Sequence, residues 1–346
     1  MNQYCLRSLS LLAALLMLCA LTACDKIFSP EPVHVYGQTM GTSYTVSLVG
    51  LPDNVSKTSL KAGIDAVLED INQKMSTYRA DSEISRFNRS PDDEWFNLSQ
   101  SSYDVIKESL AICELSSGAF DITVGPLVNL WGFGPENQPE KVPDADLLRL
   151  MLDRVGYQFL QLDSTPHRIK KAKNIYIDLS AIAKGYGVDK VIDYLQSLGI
   201  QNALVEVGGE VRTIGVKKPG RSWRVAIEAP TSGMRSVQKI VELKDVGMAT
   251  SGDYRNFFEV DGRRYSHTLN PKTGYPVSHQ LASVSVIASS SMRADGLATA
   301  ILVMGEQEGK VFAEANNIAA FFIVKTGEGF SEFATEAFEQ YLLVLE

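Results

Sequence analysis

The sequence predicts an α+β fold: one large domain, in one lobe or two, with a substantially antiparallel sheet and flanking helices. Strand-like alternation and helix-like three-and-four spacing succeed one another along the chain, mixing the two element types. Asp261-Gly262 stands between the strand patterns FFEV and RRYSHTL, and an Asp-Gly pair there selects the type I′ turn of a hairpin, which joins antiparallel strands. After the first 33 residues, no composition shift, Pro-containing linker or internal repeat divides the 346 residues.

The N-terminus reads as an address. Arg7 precedes an apolar run from Leu9 to Leu21, shorter than the ~20 residues that span a bilayer, so an export signal is expected. The closing Leu21-Thr22-Ala23-Cys24 resembles a bacterial lipobox, the alternative being an ordinary secretory signal. The resemblance implies that residues 1–23 are cleaved, that Cys24 is lipidated, and that residues 24–33, with their SPEPV stretch, tether a body over 34–346. Asp25 resembles an inner-membrane retention signal, which implies a lipid anchor on the periplasmic side of the inner membrane.

Elements follow in order. TSYTVSLVG alternates as a strand; Leu60, Ile64, Val67, Leu68 and Ile71 recur at helical spacing; Ser99 caps a helix through Leu115; Asp144 opens a helix ending before Gly156. NIYIDLSA is expected as a strand running into a helix with Val188, Val191, Ile192 and Leu195 on one stripe and Gly199 as its stop. ALVEV and EVRTIGV pair across Gly208-Gly209, and the FFEV hairpin places His267 near a strand end. ASVSVIA is a further strand feeding the helix of SMRADGLATAILVMG.

Of four cysteines, Cys5 and Cys19 leave with the signal and Cys24 is modified, so Cys113 has no disulfide partner and reads as a small buried hydrophobe. The net charge of −8, without long runs or a basic stripe, argues against a nucleic-acid partner.

Candidate chemistry begins with Asp295 and Thr299. Four residues apart on a helix, they present a carboxylate and a hydroxyl side by side, to cap a local group or to hold a hard cation. Asp178, Asp121 and His267 are polar groups where apolar strands are expected to end; a helix cap, a turn bond near Gly118 and a satisfied hairpin histidine are their structural alternatives. Lys184, beside Gly185 and Gly187 in the first turns of a helix, suits a phosphate. CxxC, HExxH, GxSxG and the P-loop spacing are all absent, so a cation on Asp295 and Thr299 would be Mg²⁺ or a relative, which prefers oxygen and bridges phosphates.

Six blocks in order, GAFDITVGPL, IDLSAIAKGYGVDK, VEVGGEVRTIG, ATSGDYR, HTLNPKTGYP and ADGLATA, resemble the ApbE-type FAD:protein FMN transferases. The resemblance implies an ApbE-like fold over the body and an exported, lipidated enzyme that binds FAD with Mg²⁺. It also implies transfer of FMN to a threonine hydroxyl of an acceptor protein with release of AMP. Acceptors of this kind are covalent flavin subunits of Na⁺-translocating NADH:quinone reductase and the Rnf complex. Carried over by position, the flavin contacts fall on Met40, Tyr78, Ala119, Phe120, Asp121, Asp178, Lys184 and Leu269, and the metal ligands on Asp295, Thr299 and the carbonyl of Ala181. HTLNP departs from an HIIDP-like pattern at Thr268 and Asn270. His267 is the candidate base and Lys184 the group that steadies phosphate oxygens. Two alternatives remain at this stage: hydrolysis of FAD to FMN and AMP at the same site, and a flavin-binding lipoprotein without turnover.

Overall fold

The computed structural model describes residues 32–135, 141–218, 220–230, 236–254, 256–327 and 329–343; the signal, Cys24 and most of the tether lie outside them. The elements are β1 (Val33–Thr39), β2 (Thr42–Leu48), α1 (Lys57–Met75), α2 (Glu83–Asn88), β3 (Phe96–Asn97), α3 (Gln100–Leu115), α4 (Gly125–Leu130) and α5 (Ala145–Leu152). They continue with β4 (Leu160–Ser164), β5 (His167–Lys171), α6 (Ala183–Ser197), β6 (Ala203–Val207), β7 (Glu210–Ile214), β8 (Trp223–Glu228), β9 (Val237–Leu243) and β10 (Gly247–Gly252). The last are β11 (Phe257–Val260), β12 (Arg263–Ser266), β13 (Leu281–Ala288), α7 (Ser291–Ala315), β14 (Ala319–Thr326), β15 (Gly329–Ala334) and α8 (Glu336–Glu339). None of the described helices is long and apolar enough to cross a membrane.

An eight-stranded sheet in the order β1-β2-β6-β7-β10-β13-β14-β15 forms the spine, and its neighbours pair antiparallel as expected. Helices α1, α6 and α7 pack on one face. The α6 stripe of Val188, Val191, Ile192 and Leu195 is completely buried against β1, β2, β6 and α1; each such side chain contributes roughly 1.5–3 kcal/mol. A second cluster joins α3, α7, β10, β13 and β14, with Cys113 fully buried in it as a small hydrophobe. On the other face lies an apolar cluster that includes Ile227 of β8, Val241 and Leu243 of β9, and Phe338 of α8. A fourth cluster, Leu127, Trp131, Leu148, Phe258 and Leu269, gathers α4, α5 and the β11–β12 hairpin beside the sheet.

Local chemistry explains most boundaries. Ser56 opens α1 in a reciprocal capping box with Ser59, Ser99 caps α3, and Asp144 caps α5. Asp261 and Gly262 both have positive φ (51° and 72°), the signature of the expected type I′ turn. Helix α7 is broken at Gly305, whose φ of 78° is outside helical space.

Two expectations fail. NIYIDLSA is not a strand: Ile175, Ile177 and Leu179 are buried, but the chain there joins no sheet ladder. Its backbone is satisfied another way, since Asn88 brackets Ile177 with both amide atoms and the Asp178 N–H donates to the Ile122 carbonyl. The GAFDITV stretch is likewise irregular, so Asp121 and Asp178 sit on two loops linked to each other, and of the three polar groups only His267 follows a strand.

Candidate active site

A cavity of about 740 Å³ opens between the sheet, the N-terminal halves of α6 and α7, and the α4–hairpin cluster. Tyr78, Ala119, Phe120, Asp121, Asp178, Ala181, Lys184, His267, Leu269, Asp295 and Thr299 all line it. Met40 does not. It sits in the β1–β2 turn with φ 50° and packs where the two largest core clusters meet, close to Gly187.

The polar centre is built by two helices that clasp each other. The Gly185 N–H of α6 donates to Asp295 Oδ2 at 3.0 Å, and Asp189, one turn along α6, accepts from the N–H groups of Ser291 and Met292 at 2.9 and 3.0 Å, capping α7. Only glycine fits at the crossing, because a Cβ on Gly185 would lie 2.4 Å from the Ser291 carbonyl oxygen. Asp189 also pairs with Arg212 of β7 at 2.7 Å. Replacing Asp189 by alanine leaves a half-buried guanidinium and two helix N–H groups without their acceptor, and should cost about 2–3 kcal/mol of stability in denaturant unfolding. A loss under ~1 kcal/mol would show that water replaces it.

Lys184 reaches Glu210 Oε1 at 2.9 Å and Asp295 Oδ2 at 3.6 Å. Glu210 and Asp295 are each 3% exposed, and the second oxygen of Glu210 has no hydrogen-bond partner. Burial pushes both carboxyls up, Glu210 to about 8, while the Lys184 charge pulls them down. Lys184 is itself held protonated by the two carboxylates against the cost of its burial.

Thr299 Oγ1 lies 3.3 Å from Ser251 Oγ of β10, one turn beyond Asp295. Gly185 is the third residue of α6, where a helix N–H has no carbonyl of its own helix to bond, so Asp295 caps it, and the Ala181 carbonyl precedes the helix and stands outside its ladder. Asp295, Thr299 and Ala181 line one cavity, bringing a carboxylate, a hydroxyl and a carbonyl outside the helix ladder to it. Among the described residues no three His, Cys, Asp or Glu side chains gather at metal-ligand spacing, so a soft or zinc-like site is not built here. The donor set fits a hard, water-retaining cation. The lining agrees: among the described residues the acidic side chains of Asp121, Asp178, Glu206, Glu210, Glu228 and Asp295 outnumber one lysine, a balance that favours a cation beside an incoming pyrophosphate.

His267 closes the far side. The backbone carbonyl of Asn256 lies 3.0 Å from its Nδ1, and a carbonyl can only accept, so Nδ1 carries the proton and Nε2 keeps its lone pair. Burial lowers the imidazole pKa, with the Lys184 charge adding to the effect. Asp121 is used differently. Oδ1 accepts from the Thr123 N–H and hydroxyl, and Oδ2 from the Tyr157 N–H, so its carboxylate is spent on holding its own loop. Asp178 accepts from the Ser180 N–H, and its charge raises the phenol pKa of Tyr78 beyond the effect of burial. The Tyr78 hydroxyl donates to the Phe133 carbonyl.

A cleft in which a lysine, acidic walls and an imidazole lone pair face the α7 residues Asp295 and Thr299 suits an enzyme that handles an anionic ligand. The chain belongs to the ApbE family, whose model matches residues 40–322. It is similar to the FAD:protein FMN transferase of Vibrio cholerae, at 48% identity over 96% of this chain and 98% of the relative. The Haemophilus influenzae enzyme of the same name is 42% identical over 94% and 96%. Among solved structures, the flavin transferase ApbE of Vibrio cholerae superposes with a TM-score of 0.83 at 47% identity, covering 90% of this chain and 99% of that one. The apo flavinyl transferase ApbE of Pseudomonas stutzeri gives 0.83 at 43% identity, covering 91% and 98%.

Sequence reasoning missed Glu210 and Asp189, though both lie inside quoted blocks. Their signals were the position after Gly208-Gly209, which turns Glu210 inward, and the four-residue step from Gly185 to Asp189.

Proposed function

We propose that this protein transfers FMN from FAD to a threonine hydroxyl of an acceptor protein, with Mg²⁺, releasing AMP. The observation that carries the reading is the facing of His267 and the Lys184–Asp295–Thr299 wall across one cavity, in a chain of the ApbE family.

The chemistry is a displacement at phosphorus. A bond forms from the threonine oxygen to the FMN phosphorus, the pyrophosphate P–O bond to AMP breaks, and the threonine proton must leave. His267 Nε2 takes that proton, since the Asn256 carbonyl fixes the reactive tautomer. Lys184 faces the phosphate oxygens as a point charge. Asp295, Thr299 and the Ala181 carbonyl would hold Mg²⁺, which when bound neutralises the pyrophosphate and the departing phosphate. Phe120 and Leu269, both buried, give the cavity apolar surface for the ring system.

The test is incubation with FAD, Mg²⁺ and a candidate acceptor, such as a flavin-carrying subunit of a Na⁺-translocating NADH:quinone reductase or Rnf complex. Flavin fluorescence that stays on the denatured acceptor supports transfer; free FMN and AMP without labelling would make the protein a hydrolase, and FAD retained intact a binding protein. The lipobox-like Leu21–Cys24 supports an anchor at the periplasmic side of the inner membrane. On that reading Cys24→Ser abolishes incorporation of labelled palmitate and releases the protein from the membrane fraction; unchanged labelling would sink it.

A further inference from the structure

We propose that Glu210 is a positioning residue that draws Lys184 away from Asp295 and so keeps the Asp295 carboxylate open to a divalent cation. The inference rests on the cation reading above and adds to it a residue that neither binds the cation nor meets the reacting atoms.

The argument is one of competition. Lys184 is an internal cation beside the carboxylate that the divalent ion needs, and by itself it would settle on Asp295 and oppose the ion. It is shared unequally instead: Nζ is 2.9 Å from Glu210 Oε1 and 3.6 Å from Asp295 Oδ2, a looser ion pair. Glu210 is suited to hold it. The carboxylate is buried at the start of β7, fixed by the Gly208-Gly209 turn and the Val207–Glu210 pairing, and its other oxygen has no hydrogen-bond partner to divide its pull. Asp295 meanwhile is steadied by the Gly185 N–H, a dipole that does not displace an ion as a full charge does. The lysine thus stays in the cavity, ready for phosphate oxygens, with its charge anchored more tightly on β7 than on α7.

The experiment is a double-mutant cycle read by Mn²⁺ binding to the full-length protein without FAD, using electron paramagnetic resonance at one fixed pH for all variants. Glu210→Gln is expected to weaken Mn²⁺ binding about tenfold, equivalent to ~1.4 kcal/mol, because Lys184 then falls onto Asp295. In a Lys184→Met background the same substitution should change Mn²⁺ affinity less than about twofold; Lys184→Gln serves if that variant does not fold. Equal weakening in both backgrounds would mean that Glu210 acts on the ion directly, and no weakening in either would remove its role; both overturn the proposal. Wild-type protein that binds no Mn²⁺, or binds it identically after Asp295→Asn, would sink the cation reading itself and the proposal with it.

Discussion

Replacing Asp295 by alanine should abolish flavin transfer, with a loss of about a thousandfold or more in turnover, and should weaken divalent-cation binding in parallel. The magnitude follows from its place. It is the only carboxylate on the α7 face of the cavity, and without it Thr299 and the Ala181 carbonyl offer only neutral oxygens to an ion. Its loss also orphans the Gly185 N–H, so part of the damage is structural. Asp295→Asn separates the two effects, because the amide oxygen can still accept from Gly185 while the charge is gone. Transfer should remain lost in Asp295→Asn although melting stays near wild type. Activity surviving in the asparagine variant, at ordinary Mg²⁺, would place the cation elsewhere.

His267→Ala should reduce turnover by about 10²–10⁴-fold and leave FAD affinity within a few-fold of wild type, the pattern of a lost base. Equilibrium FAD titration and single-turnover labelling of the acceptor distinguish the cases; a large loss of FAD binding with residual turnover would make His267 a ligand contact. The wild-type rate has its own signature. A base works when unprotonated, and burial with the Lys184 charge lowers this imidazole below its ordinary value, so the acid limb of the transfer rate should turn over below pH 6.5. A limb above that value would exclude His267 as the titrating group.

How far the site was legible depended on whether it was written in neighbouring residues. Asp295 and Thr299 share a helix face by spacing alone, and the Asp261-Gly262 turn fixed where His267 would emerge. The strand expected over NIYIDLSA failed because its alternation describes burial, and burial here comes from core packing while Asn88, almost 90 residues away, takes the hydrogen bonds a neighbouring strand would have made. The same limit hid the Lys184–Glu210 pair, which depends on how β7 is set against α6. Asp121 shows the converse: its motif points to the ligand, yet its carboxylate serves Thr123 and Tyr157, so its contribution there is to shape the loop that presents Ala119 and Phe120.

The clasp between α6 and α7 limits how pieces of related enzymes can be recombined. Gly185 and Asp189 lie just past the middle of the chain, while Ser291, Met292 and Asp295 lie about 100 residues later, and Gly247 touches the same Ser291 backbone so tightly that a Cβ there would sit 2.3 Å from its nitrogen. A hybrid joined between β9 and β10 would take the two sides of that contact from different parents. Its success would depend on whether three backbones can still meet at van der Waals distance, and sequence identity across the rest of the cavity would be a poor guide to whether it works.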